Sequence, residues 1–212
     1  MRFALQIGPR SQAAPVIVLD VPPDFHQVPL EAETEVRTAS QLRVLEEMGL
    51  SDSGQREALS LYLEALAVRL NSGVVISTAF CAVELGGRPS TATLTVALHA
   101  TGTADRGLAV MGAAEALRRE GRFSAVEIRE LGTHPAVTAL AERPAVPGDA
   151  ASGEVGKTLR ELSVLVPVPG HDQAAMITLS TPCLEDWPVY ESLLLDIARS
   201  LHVQHTHPDF IR

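Results

Sequence analysis

The stretch that most constrains the fold lies between Val74 and Ala100. Val74 to Leu85 is rich in Val, Ile, Thr and Phe, Gly86-Gly87 makes a turn, and Thr91 to Ala100 alternates cleanly. Leu94, Val96 and Leu98 point one way, while Thr93, Thr95, Ala97 and His99 point the other, which is the period of a strand with one apolar face. Two such runs about a glycine turn predict a β-hairpin. A hairpin of this kind must bury its apolar face against a second layer.

The rest of the chain supplies that layer and more strands. Arg2 to Ile7 and Val16 to Leu19 read as short strands, followed by a segment broken by Pro22, Pro23 and Pro29. Glu31 to Met48 reads as a helix, opening on Glu31, Glu33 and Glu35, where the helix dipole favours acids. Ser53 to Asn71 reads as another, with Leu59, Leu63, Leu66 and Leu70 on one face, Asp52 or Ser53 as cap, and Asn71 and Gly73 as a left-handed stop. Asp105 opens an Ala-rich helix running to about Glu120, closed by Arg118, Arg119 and Gly121. Phe123 to Glu130 and Ala136 to Glu142 read as strands. Leu162, Val164, Val166 and Val168 alternate, Pro169 to Asp172 turn, and Ala175 to Ser180 return, a second hairpin. A last helix, Leu184 to Leu201, places Trp187, Tyr190, Leu194, Ile197 and Leu201 on one face.

Strands in adjacent pairs with helices between the pairs predict an α+β fold with a mainly antiparallel sheet, not a parallel βαβ repeat. The reading is one α+β domain over residues 1–201, with a flexible loop at 143–156 and a polar tail at 202–212. With 46% hydrophobic and 20% charged residues over 212 positions, the chain is globular in composition. Aromatic residues are only 4%, so Leu, Val, Ile and Ala must build the core. The formal charge of −9 repels phosphate backbones and anionic membranes, which argues against nucleic-acid binding. No run approaches the roughly 20 apolar residues of a membrane span. The opening M-R-F-A-L-Q-I-G-P-R is too short in its apolar part for a signal peptide, and Cys81 and Cys183 are too few for a disulfide framework, so a cytoplasmic protein is expected.

Three motifs compete for a chemical role. Ala151 to Thr158, A-S-G-E-V-G-K-T, fits a relaxed phosphate-loop pattern ending in Gly156, Lys157 and Thr158. Such a loop needs a strand before it and a helix directly after it, so that loop amides and the helix N-terminus cradle phosphate. Here a Pro/Gly-rich stretch precedes and a strand pattern follows. Cys183 sits in S-T-P-C-L-E, where Thr181 would cap the last helix and Pro182 take its first position. A thiol in a first helical turn gains acidity, but Glu185 and Asp186 oppose the thiolate. His202, His205 and His207, with Asp209, have a spacing that suits a metal, yet they fall where a helix gives way to a tail. His99 reads as a half-exposed sheet residue. His26, His134 and His171 each neighbour a turn residue, and no Ser-His-Asp order or G-x-S-x-G elbow occurs. No catalytic, cofactor or metal residue is therefore assigned.

Residues 162–201, L-S-V-L-V-P-V-P-G-H-D-Q-A-A-M-I-T-L-S-T-P-C-L-E-D-W-P-V-Y-E-S-L-L-L-D-I-A-R-S-L, resemble the ending of bacterial proteins with the fold of PsbP, the extrinsic photosystem II subunit, a fold shared with a Ran-binding nuclear import factor. In both, a β-hairpin leads through an S-T-P-like corner into a helix with an aromatic and a terminal I-A-x-S-L. The resemblance implies an α/β/α sandwich about an antiparallel sheet, in a fold used mostly for binding and assembly, and no catalytic motif transfers with it. Members serving photosystems or membranes often carry export signals, and this chain departs from them there. The functional expectation is a non-catalytic binding or accessory protein acting on a protein partner, with a homodimer left open. The rival is a small enzyme or nucleotide-dependent factor using Cys183 or the Gly156-Lys157-Thr158 corner.

Overall fold

The computed structural model describes residues 2–6, 16–29, 33–48, 53–70, 75–145 and 158–204. In chain order its elements are strands β1 (Arg2–Gln6), β2 (Val16–Asp20) and β3 (Phe25–Gln27), and helices α1 (Thr34–Glu47) and α2 (Ser53–Leu70). The hairpin strands β4 (Val75–Leu85) and β5 (Arg88–Ala100) follow, then helix α3 (Arg106–Glu120). Strands β6 (Ala125–Leu131), β7 (His134–Pro144), β8 (Thr158–Pro167) and β9 (Gln173–Thr181) form an antiparallel run. Helix α4 (Trp187–Arg199) and strand β10 (His202–Gln204) complete the described chain.

Seven strands make one antiparallel sheet in the order β3-β4-β5-β9-β8-β7-β6. The two hairpins read from sequence meet at its centre, where β5 pairs with β9 from Thr93↔Ser180 to Ala100↔Gln173. Register then sorts the side chains by parity. Ala79, Cys81, Leu94, Val96, Ile177, Leu179, Val164 and Val166 face Trp187, Tyr190, Leu194 and Ile197 of α4, with Ile17 and Leu19 of β2 in the same cluster. On the opposite face Phe80 meets Leu59, Tyr62, Leu63 and Leu66 of α2, and Val137, Ala139 and Leu165 meet Val110, Ala114 and Leu117 of α3. The molecule is thus an α+β sandwich with helices on both faces of an antiparallel sheet.

Local chemistry places the helices. Asp105 caps α3 by accepting from the Leu108 amide at 3.0 Å, and Gly121 ends it at φ 70°, a left-handed position that suits glycine. The last helix starts later than its periodicity predicts. Leu184 to Asp186 form a 3-10 turn, and Pro188 in the first turn of α4 starts the regular helix at Trp187. Among the described residues no helix is long and apolar enough to cross a membrane.

The expected loop and tail boundaries move as well. Arg143 and Pro144, placed in the loop by composition, extend β7 and pair with Leu159 and Thr158 of β8. Residues 146–157 of that loop lie outside the described residues. His202 to Gln204, placed in the tail by polarity, pair antiparallel with Val18, Ile17 and Val16. They make β10 the third member of a small sheet β1-β2-β10, because β2 has a free edge on that side which a strand of any side-chain character can satisfy through its backbone.

Candidate functional site

A concavity lies on the α3 face of the sheet. It has a volume of about 430 Å³ and runs along α3, between that helix and strands β5, β9 and β8. Its floor includes His99, Met176 and Leu165, and its wall includes Leu108, Gly112, Ala116 and Glu120 of α3. Sequence parity sets the floor, because Ala97, Met176 and Leu165 are neighbours across three strands, and His99 is on the same face as Ala97.

The wall is made concave by small residues. Ala109 and Ala114 are buried and bring the helix close to the sheet, whereas Gly112 looks into open space, with no atom within 4 Å of a Cβ built upon it. Leu108 stands at the rim, 59% exposed, and Met111 on the same helix is 63% exposed. The lining mixes apolar side chains with polar groups, among them His99, Thr101 and Glu120, which could orient a bound group.

Next to this floor the sheet carries a row of hydroxyls. Thr78, Thr95, Thr178 and Ser163 are consecutive cross-strand partners on β4, β5, β9 and β8. Ser163 and Thr178 bond at 2.8 Å, and the buried Thr78 Oγ1 has no hydrogen-bond partner among the described residues. One row further, Tyr62 of α2 reaches Thr93 at 2.7 Å and closes that end of the face.

On the other face, Cys183 is buried at the corner between β9 and the 3-10 turn. Thr181 does not cap α4. Its Oγ1 accepts from the Cys183 amide at 3.0 Å and donates to the Thr91 carbonyl at 2.6 Å. The Cys183 sulfur accepts from the Thr91 amide at 3.4 Å, which makes the thiol part of the corner's packing. Cys81 is buried too, and desolvation, then the nearby Asp24, push its thiol up to about 12. Both cysteines are free. Strand β5 lies between β4, which carries Cys81, and β9, which leads to Cys183. Cys183 itself lies past the end of β9, and its sulfur sits at Thr91 of β5, next to Ala92, the cross-strand partner of Cys81.

Tyr190 donates or accepts with Ser90 at 2.9 Å beneath the same corner, and Arg88, the first residue of β5, reaches both Glu185 and Asp186. The acidic pair that follows Cys183 in sequence is therefore tied to an arginine that local reading had no reason to connect with it. Thr158 is the first residue of β8, so a strand follows Gly156-Lys157 where a phosphate loop needs a helix. Gly156 and Lys157 themselves lie outside the described residues.

The described histidines do not converge. His202 is exposed in β10, with Nδ1 at 2.9 Å from the Ser200 carbonyl, and His205, His207 and Asp209 lie outside the described residues. Burial, then Arg106, holds His134 below the ordinary histidine range against a backbone hydrogen bond with Leu201. Among the described residues no three His, Cys, Asp or Glu side chains gather as metal ligands would. Of the residues singled out by sequence, only His99 lines the groove. Gly112 and Ala116 gave no signal beyond their small size in a helix.

No family model and no curated protein matches the sequence. Among solved structures the chain is similar to LpqN, involved in cell envelope biogenesis of Mycobacterium tuberculosis, at a TM-score of 0.46 and 11% identity over 96% of this chain and 91% of that one. It is similar to a mutant of the protein Mog1 at a TM-score of 0.44 and 14% identity, covering 97% of each chain. It is also similar to the Ran-binding protein Mog1p of Saccharomyces cerevisiae at a TM-score of 0.40 and 16% identity, over 88% of this chain and 89% of that one. Residues 162–201 resemble bacterial proteins whose fold is shared with a Ran-binding import factor, and a Ran-binding protein is among these neighbours. At these scores the likeness carries no statement about mechanism or partner.

Proposed function

We propose that the protein is a non-catalytic binding protein that works through protein–protein contacts, and that the groove along α3 receives an apolar segment of its partner. The observation that carries this reading is the groove itself, with the vacant Cβ position of Gly112 in its wall and the exposed Leu108 at its rim. A side chain entering there exchanges water for Met176, Leu165 and Leu117, and the surrounding His99, Thr101 and Glu120 offer polar groups that orient a backbone. Ran binding belongs to the yeast neighbour and does not enter the argument. The two free cysteines suit a reducing compartment, so our reading includes a cytoplasmic location.

The test is a selection of peptides from a random library on the folded protein, followed by titration against Gly112→Trp. A Cβ at position 112 meets nothing within 4 Å, so an indole there should project into the groove, and a melt of the variant checks that the fold is kept. Selected peptides should bind it at least about tenfold more weakly, the equivalent of one lost apolar anchor. Equal affinity for the two proteins would place the binding surface elsewhere.

A further inference from the structure

Among the described residues, β6 is the outer strand of the seven-stranded sheet, with β7 on one side and no strand on the other. Its sequence is Ala125-Val126-Glu127-Ile128-Arg129-Glu130-Leu131. Which of its backbone groups face outward follows from a proline. Glu130 pairs with Pro135 of β7, and proline has no amide hydrogen, so this is a wide, non-hydrogen-bonded pair. Parity then turns the amides and carbonyls of Val126, Ile128 and Glu130 away from β7. The Arg118 guanidinium agrees, since it donates to the Val126 carbonyl at 3.2 Å.

We propose that this edge is a self-association surface, on which β6 of a second copy of the chain pairs antiparallel with Ile128 on the two-fold axis. The outward amides and carbonyls of Val126, Ile128 and Glu130 then bond those of Glu130, Ile128 and Val126 of the other copy. The Val126 carbonyl has two lone pairs, so Arg118 need not leave it. Ile128, 49% exposed in the monomer, meets its own copy on the α3 face.

On the α4 face Glu127 meets Arg129 of the other copy, and Arg129 meets Glu127. Both contacts fall at non-hydrogen-bonded positions, where opposed Cα atoms come within about 4.5 Å and side chains are nearest. In the single chain these two side chains pair with each other at 2.6 Å, so dimerisation exchanges one ion pair for its equivalent across the interface.

Charge also selects the register. Backbone parity allows only registers that differ by two residues. Moving the axis to Glu127 sets Glu127 against Glu127, and moving it to Arg129 sets Arg129 against Arg129. Of these three axes, only the one at Ile128 sets Glu127 and Arg129 against unlike charges. Charged edge strands commonly prevent pairing. Here the order Glu-Ile-Arg disfavours the two neighbouring registers and makes the one centred on Ile128 self-complementary.

The experiment is sedimentation equilibrium of the full chain over roughly a thousandfold range of concentration, because association must follow mass action. The wild type should show a concentration-dependent dimer. Glu127→Arg sets like charges together and should weaken it about tenfold, and Glu127→Arg combined with Arg129→Glu should restore it. Ile128→Pro removes an outward amide without touching a bond to β7, so it should leave a folded monomer. If Ile128→Pro fails to fold, the charge exchange decides alone. A wild type that stays monomeric throughout overturns the proposal, as does a dimer indifferent to the charge reversal.

Discussion

Tyr190 of α4 and Ser90 of β5 share a hydrogen bond of 2.9 Å inside the layer between helix and sheet, where the residues are 2% and 0% exposed. The pair fixes the height of α4 on the sheet at the corner that also holds Cys183. Tyr190→Phe keeps the ring's apolar contacts and leaves the Ser90 hydroxyl buried without its phenol partner. Urea denaturation should record a loss of about 1–3 kcal/mol, and adding Ser90→Ala should recover part of it. A strictly additive pair of losses would mean that the two hydroxyls do not depend on each other.

Cys81 makes the fold sensitive to alkali. Its thiol is pushed from 9.0 up to about 12, chiefly by burial and secondarily by Asp24, so the folded chain keeps a proton that the unfolded chain releases. The stability this contributes is complete below pH 9.0 and falls as pH rises toward about 12. Burial also pushes the Tyr190 phenol upward from 10.0, against the opposing Ser90 bond, which steepens the loss above that pH. Urea midpoints measured from neutral pH to pH 10 should decline beyond about 9 for the wild type and stay flat up to about 10 for Cys81→Ala. Parallel declines would show that other groups govern the alkaline limb.

What sequence makes visible here is whatever repeats locally. Leu94, Val96 and Leu98, and Leu162, Val164 and Val166, alternate because each strand has two unlike faces, so both hairpins and the antiparallel α+β class can be read without a structure. β3 is three residues long among prolines, and β10 is His202, Val203 and Gln204. Neither carries a periodic signal, and each exists because a distant strand offers it an edge. Arg143 and Pro144 look like loop, yet they are held in β7 by Leu159 and Thr158 beyond it. The groove is legible by halves. Parity puts His99 on the face away from α4, but that α3 sits to one side of Met176, leaving room beside it, depends on packing among Ala109, Ala114 and Val137.

Arg37 of α1 holds Glu64 of α2 with two prongs, Nε to Oε2 at 2.9 Å and Nη2 to Oε1 at 2.6 Å, and Gln41 adds 3.1 Å to Oε2. The Arg37 side chain is 6% exposed and Glu64 is 35% exposed, so the pair is only partly screened by water. Lysine cannot reproduce the fork, and Arg37→Lys should cost about 1–2 kcal/mol. The same contact holds the Glu64 carboxyl below its ordinary 4.5, with the Arg37 hydrogen bond as the largest cause. A depressed carboxylate contributes stability above pH 4.5 that is lost as pH falls through the folded value. Acid unfolding of Arg37→Lys, followed by circular dichroism, should therefore show a shallower loss below that pH than the wild type. An identical acid limb would separate the ion pair from the pH response.

Gly112 and Gly121 bracket the opposite outcomes of one substitution in α3. Gly112 lies inside the helix, without a positive φ, and a Cβ there meets nothing within 4 Å. Gly112→Ala should stabilise the protein by about 0.5–1 kcal/mol through reduced freedom of the unfolded chain. Gly121 closes the helix at φ 70°, where an L side chain is strained, so Gly121→Ala should destabilise it by about 1 kcal/mol. Thermal melts of both variants give the sign directly. If Gly112→Ala also weakens peptides selected on the groove, the wild-type glycine is costing the helix stability to keep that wall open. A stabilised variant that binds those peptides unchanged would mean that the space at position 112 lies outside the contact.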